Sequence, residues 1–362
     1  MSNAISIEEY IRSFREILAP YIDNYLSDIV EIQIRSDQRI AELYEVFIEA
    51  GKGGKCIRGS LVKLGYETAS GVEAGEEILP TAAAFEILQT AILGHDDIID
   101  KSPLRRGKDS IWRALSQQIA SRLPVQNEDA YHYGISQAIC LGDTGIFLAN
   151  RLIMECDFSP ESKIEAMKTF LYSQLKMVDG EMLDVLMSYE RDYSDDEGII
   201  RMASLKTAWY TIIGPLKVGA VLGGASPKLL DAMKKYGMAL GLAFQLKDDI
   251  LGIEAEEEET GKSNTSDIAE GKITLLAHYA MKNATPEQLA QLQRVYGSKE
   301  VSEAGLQTVR KIFERTGALA ETERIMENCL AEARAVIPDI TRIPEKAELL
   351  EQLCDMMVKR KN

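Results

Sequence analysis

Helical periodicity is the feature that most constrains the fold of this chain. Ala, Leu, Ile, Met, Glu and Lys recur at spacings of three and four residues in segment after segment, and alternating strand patterns are almost absent. Such stripes bury their apolar side only against other helices. The sequence therefore predicts an all-α protein, with helices over residues 7–49, 59–70, 78–100, 129–155, 161–189, 197–222, 228–253 and several more from residue 272 onward.

The predicted breaks between these helices are all of loop length. They fall at residues 71–73, 103–108, 159–160, 226–227 and 254–266. No Pro-, Gly- or Ser-rich linker separates two halves of different composition, so the sequence predicts one helical domain over residues 1–362.

The net charge of the chain disfavours some classes of binding partner. Asp and Glu number 57 against 41 Lys and Arg, a net charge of -16, which disfavours nucleic acid and anionic membranes. The N-terminus lacks a signal-peptide pattern, and the longest apolar run, residues 212–225, is too short for a bilayer, so we expect no stable membrane anchor. Five scattered cysteines without a CxxC pair are typical of a reducing compartment, which predicts a cytoplasmic protein.

An acidic cluster ends one strongly apolar helix. Asp96, Asp97 and Asp100 lie three and four residues apart, so their carboxylates share one helix face, where like charges repel. A bound cation relieves this repulsion. Oxygen ligands without His or Cys at zinc spacing favour Mg²⁺. The alternative is a solvated acidic turn or a helix cap.

Two basic segments offer anion sites in this acidic chain. Arg105 and Arg106 follow the acidic cluster, and two planar guanidinium groups can grip phosphate oxygens. A glycine-rich turn lacks the spacing of an ATP-binding loop but carries Lys55 and Arg58 at the start of a helix, where an anion is favoured. Taken alone, either segment also suits an ordinary surface.

A second acidic pair, Asp248 and Asp249, lies on another apolar helix. Between the two acidic segments, Lys206 occupies the middle of an apolar helix. It is either a phosphate ligand or a surface lysine whose stem covers apolar neighbours.

The order and spacing of these segments resemble those of the trans-isoprenyl diphosphate synthases, the polyprenyl synthetase family. The resemblance rests on GKxxR at residues 54–58, DDxxD at 96–100, RRG at 105–107, KT at 206–207, FQxxDD at 244–249 and the segment from 261 to 272. It implies an isoprenoid synthase type helical bundle around a central active-site cavity, usually a homodimer. It also implies Mg²⁺-dependent addition of isopentenyl diphosphate to an allylic diphosphate.

The resemblance assigns roles to individual residues of this sequence. Metal binding and catalysis are expected of Asp96, Asp97, Asp100, Asp248 and Asp249, with Lys206 as a further catalytic residue. Isopentenyl diphosphate is expected at Lys55, Arg58, Gln89 and Arg106. The allylic diphosphate is expected at Arg105, Lys206, Thr207, Gln245 and Lys262.

Product length is expected to depend on the helix that carries the first aspartates. Ala91 and Ile92, the positions where bulky side chains stop elongation early in the family, are not aromatic here. Phe85, with Leu88 beside it, is the next large side chain and lies about 16 Å below the aspartates along a helix. The expected product is geranylgeranyl diphosphate or somewhat longer.

Two positions and one segment depart from the family pattern. The segment over residues 116–127 is longer than is usual in the family, and we expect it to form a surface loop near the cavity mouth. Gly252 stands where many relatives have the last aspartate of the second motif, and Glu181 stands where glutamine is common. Two alternatives therefore remain open at this point. One is a class I terpene cyclase or a squalene/phytoene-type synthase, which would not need the isopentenyl site; the other is a weakly active regulatory subunit of a heteromeric prenyl synthase.

Overall fold

The structure is a computed structural model that describes residues 5–254, 266–298 and 301–359. Its helices confirm the predicted all-α fold. They are α1 (Ile7–Ser36), α2 (Gln38–Gly51), α3 (Ile57–Ser70), α4 (Leu79–Ile99), α5 (Ile111–Arg122), α6 (Asn127–Glu155), α7 (Pro160–Glu190), α8 (Asp196–Ala203), α9 (Gly214–Leu222), α10 (Pro227–Glu254), α11 (Ser266–Glu270), α12 (Leu275–Asn283), α13 (Pro286–Val295), α14 (Glu303–Arg315), α15 (Ala318–Ile340) and α16 (Pro344–Val358).

Three shorter elements complete the described chain. A 3₁₀ turn over Glu76–Ile78 leads into α4, and a π-helical segment over Ser204–Ile213 joins α8 to α9. Two short strands, β1 (Leu104–Arg105) and β2 (Lys108–Asp109), form an antiparallel hairpin after α4. Within the described residues, every helix is too short or too polar to cross a bilayer.

The chain divides into two compact units. The N-terminal unit contains residues 8–167 and 218–224, and the C-terminal unit contains residues 1–7, 168–217 and 225–362. Each unit has its own central helix. The single domain over residues 1–362 stays a prediction.

The N-terminal unit is built around α4, which packs against α2, α3, α5 and α6. Phe85, Leu88 and Ala91 of α4 are fully buried. The approach of α6 depends on Gly145, because a Cβ atom at this position would lie 2.8 Å from the Cβ atom of Ala91. The central helix therefore has no spare volume on this side.

The C-terminal unit is built around α10, which packs against the π-helical segment, α15 and α16. Gly241 lets the π-helical segment approach, since a Cβ atom there would collide with Ala208. Tyr236 is fully buried and its hydroxyl donates to the carbonyl of Leu350, 2.7 Å away, so α10 is tied to α16. A second apolar cluster includes Leu276, Val309 and Phe313 from α12 and α14.

Two predicted boundaries are wrong. The first predicted helix divides at Asp37, whose side chain accepts the backbone N–H of Arg39 at 2.9 Å and caps α2. The predicted loop over 116–127 is helical as far as Arg122, because Ile111 and Leu115 bury one side of a short polar helix. Only residues 123–126 of that segment form a loop.

Candidate active site

The first aspartates meet an arginine from the following hairpin. Arg105 donates from Nε to Asp97 Oδ1 and from Nη2 to Asp96 Oδ2, both at 2.8 Å, and Nη2 also contacts Asp97. Asp97 is buried, with 2% of its surface exposed. A guanidinium group that bridges two carboxylates offsets their repulsion and fixes their orientation. The predicted aspartates and Arg105 are thus in one cluster.

A tight turn places this arginine. β1 and β2 pair Leu104 with Asp109 and Arg105 with Lys108, which leaves Arg106 and Gly107 as the two turn residues. Both have positive φ angles, 54° and 73°, as a type I′ hairpin turn requires. Left-handed backbone is unfavourable for arginine, and such strained residues concentrate at functional sites.

The donor chemistry of this cluster fits a hard divalent cation. Asp96, Asp97 and Asp100 offer only carboxylate oxygens, the ligands that Mg²⁺ and Ca²⁺ prefer. The adjacent His95 is hydrogen-bonded elsewhere, because its Nε2 lies 3.1 Å from the carbonyl oxygen of Ile139 on α6. This supports a packing role for His95 rather than a ligand role.

An acid that the sequence analysis did not identify contacts the start of the helix that follows the glycine-rich turn. The carboxylate of Glu86 on α4 accepts a hydrogen bond from the backbone N–H of Gly59 at 2.8 Å. It thereby satisfies a backbone donor in the first turn of α3. The N-cap residue, Cys56, has no capping side chain and a φ of 54°. Burial raises the pKa of Glu86, while the Gly59 N–H and the charges of Arg58 and Arg106 act against this rise. Its only sequence signal is an acid within an apolar helix.

Of the four predicted isopentenyl diphosphate residues, Gln89 and Arg106 line one cavity with this acid. A cavity of about 220 Å³ is lined by Gly54, Glu86, Gln89 and Arg106, among others. The Gln89 side-chain oxygen is buried without a hydrogen-bond partner. Burial, together with repulsion from Arg105 and Arg58, lowers the pKa of Arg106. The lining is polar, with Arg15, Lys52 and Arg106 against Asp23 and Glu86, so the pocket has a small excess of positive charge that favours an anion.

In the C-terminal unit, Lys206 lies between two carboxylates. Its ammonium group is 2.8 Å from Glu181 and 2.7 Å from Asp184, both on α7. Only 20% of the Lys206 side chain is exposed, so it does not have the setting of a surface lysine. Gly180 permits this contact, because a Cβ atom there would collide with the Lys206 backbone.

Thr207, Gln245 and Asp249 form a hydrogen-bonded chain in the same unit. The Thr207 hydroxyl donates to the Gln245 side-chain oxygen, and the Gln245 amide donates to Asp249 Oδ1 at 2.8 Å. Burial, with Asp267 and Asp248, raises the pKa of Asp249 to about 7 despite Gln245 and Lys272. The ionised carboxylate is therefore costly until a cation joins it.

The space beside Gly252 is occupied by the carboxylate of Asp267. A Cβ atom at Gly252 would collide with the carboxylate of Asp267, which pairs with Lys272 at 3.1 Å. Asp267 lies in the 261–272 segment on which the resemblance rests in part, but the sequence analysis gave this residue no role of its own. Lys262, predicted to contact the allylic diphosphate, lies outside the described residues.

The predicted chain-length residues all lie on α4. Phe85 and Leu88 are buried, Ala91 packs beside Gly145, and Ile92 is partly exposed. Their effect on product length stays a prediction.

Similar proteins span nearly the whole chain. A short chain isoprenyl diphosphate synthase from Methanothermobacter thermautotrophicus is 30% identical over 99% of this chain and 100% of its own. A geranylfarnesyl diphosphate synthase from Aeropyrum pernix is 31% identical over 94% and 99%. The crystal structure of a Corynebacterium glutamicum geranylgeranyl pyrophosphate synthase, complexed with isoprenyl diphosphate and magnesium, is 29% identical and covers 98% and 100%, with a TM-score of 0.87.

These similarities confirm the predicted family and the predicted enzyme class, a trans-prenyltransferase. Enzymes of this family use a divalent metal and isoprenyl diphosphate substrates. Residues 37–313 match the polyprenyl synthetase family, and the chain therefore belongs to it.

Proposed function

We propose that the protein condenses isopentenyl diphosphate with an allylic diphosphate in a Mg²⁺-dependent reaction and releases geranylgeranyl diphosphate or a product somewhat longer. The observation that carries this proposal is the arrangement of Arg105 and Arg106. Arg105 is bound to the aspartates, whereas Arg106 also lines a polar pocket with Gln89 that Arg105 does not line. Two neighbouring anion sites suit two diphosphate substrates.

Divalent metal is expected at the carboxylates of both motifs, which are Asp96, Asp97, Asp100, Asp248 and Asp249. When bound, Mg²⁺ neutralises negative charge on the diphosphate leaving group. Arg105, Lys206, Thr207, Gln245 and Lys262 are expected to orient the allylic diphosphate. Lys55, Arg58, Gln89 and Arg106 are expected to hold isopentenyl diphosphate.

The reaction needs no protein nucleophile. The allylic C–O bond breaks and its electron pair leaves with the diphosphate, and the double bond of isopentenyl diphosphate forms the new C–C bond. A proton is then lost to the released diphosphate. The cations of this chain act by stabilising charge as it develops on the leaving group, and an apolar surrounding excludes water from the carbocation.

The product length is expected to follow from α4. No aromatic side chain occupies positions 91 and 92, and Phe85 lies about 16 Å along the helix from Asp96. This depth suits about four isoprene units. Relatives named geranylgeranyl and geranylfarnesyl diphosphate synthases support the same range.

A homodimer is part of the proposal. On the C-terminal unit, α7 exposes an apolar stripe at alternating spacings of four and three residues, with exposed fractions between 37% and 62%: Leu171, Leu175, Val178, Met182 and Val185. This is the spacing of a helix-pairing seam, and a second copy of the same helix is its natural partner. Light scattering of the wild type and of Leu175→Glu tests the association; a monomeric wild type contradicts it.

One functional domain and a cytoplasmic location are also proposed. The family match runs through segments of both units, which supports a single domain over residues 1–362. All five cysteines are free, which suits a reducing compartment.

The decisive experiment incubates the purified protein with isopentenyl diphosphate, Mg²⁺ and each allylic primer in turn, followed by chromatographic sizing of the products. We expect consumption of isopentenyl diphosphate and a geranylgeranyl or longer chain. Cyclised or head-to-head products would favour a terpene cyclase or a squalene/phytoene-type synthase. Substrate consumption only after a partner protein is added would favour a regulatory subunit.

A further inference from the structure

The chain reverses direction where α4 ends, between the first aspartates and the hairpin. The backbone N–H of Ser102 donates to the carbonyl of Asp97 at 2.8 Å, and that of Lys101 donates to the carbonyl of Ile98 at 3.2 Å. These two bonds form a Schellman motif, in which one residue takes a left-handed backbone. That residue is Lys101, with a φ of 53°. Glycine is the usual residue at this place, because a Cβ atom makes the left-handed backbone unfavourable. The reversal is therefore strained.

Trp112 of α5 joins the two ends of this reversal. Its indole N–H lies 3.1 Å from the carbonyl oxygen of Asp97 and 2.9 Å from that of Ser102, so one donor is shared between the first and last residues of the turn. The Asp97 carbonyl then accepts two hydrogen bonds, which matches its two lone pairs. This side-chain contact offsets part of the backbone strain at Lys101.

The indole is itself held by the packing of α5 against α6. Its ring meets that of Tyr131 edge to face, with centroids 5.2 Å apart. The Trp112 backbone carbonyl accepts the hydroxyl of Ser116 at 2.8 Å. Gly134 lets the two helices approach, because a Cβ atom there would collide with this carbonyl. Trp112 is thus a fixed point that orients the end of α4.

The reversal connects the two partners of the ion pair at the first motif. Asp97 precedes it and Arg105 follows it, and the Arg105 Nε donates to the Asp97 carboxylate at 2.8 Å. The backbone N–H of Ser110 donates to the carbonyl of Pro103 at 2.9 Å and closes the base of the hairpin that carries Arg105. A rotation of the backbone within the reversal would therefore change the direction of both the carboxylate and the guanidinium.

We propose that Trp112 is a positioning residue for the first aspartate motif. Its indole N–H fixes the backbone between Asp97 and Ser102, and through this backbone the carboxylates of Asp96 and Asp97. The inference rests on the proposed function, in which these carboxylates bind Mg²⁺. Because Trp112 acts through backbone carbonyls, loss of its N–H should weaken activation by Mg²⁺ and lower kcat.

Three variants separate the hydrogen bonds from the packing of the ring. Trp112→Phe keeps an aromatic ring and removes the N–H. Trp112→His restores a donor, because imidazole superimposes on the pyrrole part of indole and places its Nε2–H where the indole N–H lies. Tyr131→Leu keeps the N–H and removes the edge-to-face contact. Since imidazole is smaller and more polar than a phenyl ring, a role in packing alone predicts losses in Trp112→His at least as large as those in Trp112→Phe.

Hydrogen exchange in EDTA at pH 8 tests the backbone without metal or turnover. The measurement is mass spectrometry of the peptide that contains residues 98–103. Amides of this peptide should exchange about fivefold faster in Trp112→Phe than in the wild type, as expected when neutral hydrogen bonds are lost. Trp112→His and Tyr131→Leu should stay within about twofold of the wild type.

Steady-state kinetics then test the link to the metal. In Trp112→Phe, the Mg²⁺ concentration for half-maximal activity should rise about three- to tenfold and kcat should fall about tenfold, because the carboxylates lose their fixed orientation. Trp112→His should recover most of both losses. Tyr131→Leu should have a Mg²⁺ dependence close to that of the wild type.

A change at Lys101 keeps the test available if circular dichroism shows that Trp112→Phe does not fold. Lys101→Gly supplies the residue that the left-handed backbone favours, so the reversal should depend less on the indole. The double variant Lys101→Gly/Trp112→Phe should differ from Lys101→Gly in the same direction as Trp112→Phe differs from the wild type, but by a smaller factor in both exchange and Mg²⁺ dependence.

The outcomes separate this proposal from the proposed function. Equal exchange in Trp112→Phe and the wild type overturns the positioning role, as does faster exchange with unchanged kcat and Mg²⁺ dependence. Losses in Trp112→His as large as those in Trp112→Phe would assign the residue to packing and also overturn it. An inactive wild type contradicts the proposed function, whereas faster exchange in Trp112→Phe that Trp112→His reverses would still support the backbone restraint.

Discussion

The two units place similar aspartates on similar helices but give them different support. At the end of α4, Asp96 and Asp97 are bridged by Arg105. On α10, Asp249 accepts one neutral amide from Gln245, and burial raises its pKa to about 7. Arg105 is bound directly to the first motif, whereas in the second motif the Asp249 carboxyl group lies where burial makes its ionisation costly.

Because of this difference, the two motifs should depend on a bound metal in different ways. The α4 carboxylates are oriented by a protein cation before any ligand arrives. The Asp249 carboxylate pays a desolvation cost that a bound cation would offset. The α10 motif should therefore depend on metal for its stability, and the α4 motif mainly for its chemistry.

Removing an α4 carboxylate should give the largest loss. Asp97→Asn should reduce turnover by on the order of a thousandfold, because a ligand that stabilises the leaving group is lost. It should also lower the melting temperature, since Arg105 keeps its burial but loses a charged partner. Steady-state kinetics and thermal unfolding measure both effects, with Asp129→Asn at the exposed start of α6 as control. Turnover within tenfold of the wild type would contradict the metal assignment.

Asp249→Asn should also remove turnover, but with the opposite effect on stability. Without the desolvated charge, the melting temperature in EDTA at pH 8 should rise by about 2 °C or more. Mg²⁺ should stabilise the wild type and stabilise this variant less. Thermal unfolding with and without metal makes the comparison. If Asp97→Asn and Asp249→Asn shift the metal-free melting temperature in the same direction, the contrast between the motifs is wrong.

Substitutions of the basic residues should raise the KM for one substrate or the other, according to which diphosphate each residue contacts. Arg58→Ala should raise the KM for isopentenyl diphosphate far more than that for the primer, and Lys206→Ala should do the reverse. A charge-assisted contact is worth about 1.5 to 3 kcal/mol, or roughly 10- to 150-fold. Lys235→Ala, an exposed lysine paired with Asp231, is the control. Equal changes in both KM values for both variants would refute the division.

Substitution of Glu86 should have a smaller effect, confined to the KM for isopentenyl diphosphate. Glu86→Gln keeps an acceptor for the Gly59 N–H but removes the charge beside Arg58 and Arg106. We expect the KM for isopentenyl diphosphate to change by about three- to tenfold, in line with one weakened charge-assisted hydrogen bond, while kcat and the primer KM stay within twofold. Glu86→Ala should have the larger effect, because α3 then loses its cap. A purely structural role would lower stability in both variants without changing this KM.

Product length should change with little change in rate. Phe85→Ala should lengthen the products, because the side chain expected at the end of the chain path is removed. Ile92→Phe should shorten them toward farnesyl diphosphate. Position 92 is chosen rather than position 91, because a phenylalanine in place of Ala91 would collide with α6 at Gly145. Chromatography of the products is the measurement, and an unchanged distribution in both variants would assign the limit to other helices.

The sequence predicts what depends on local spacing. Helical periodicity placed α4 and α10, and the clustering of Asp96, Asp97 and Asp100 followed from positions within one turn. Contacts between distant segments were not accessible in this way. Glu86 accepts a hydrogen bond from a helix that begins 29 residues before it, and Asp267 fills the space beside Gly252, 15 residues earlier in the sequence. The capping role of Asp37 was readable in principle, because an acid before a new apolar stripe is a helix-start signal.

The carboxylates around Lys206 affect how substrate binding depends on ionic strength. A diphosphate that reaches this lysine replaces Glu181 and Asp184, so one set of anions is exchanged for another. Added salt screens both sets, and its effects partly cancel. Arg106 feels the charge of Glu86 but has no carboxylate within ion-pair distance among the described residues, so an arriving anion displaces less existing attraction and salt mainly weakens the new contact. The affinity for the substrate held by Arg106 should therefore fall more steeply with salt than the affinity for the substrate held by Lys206.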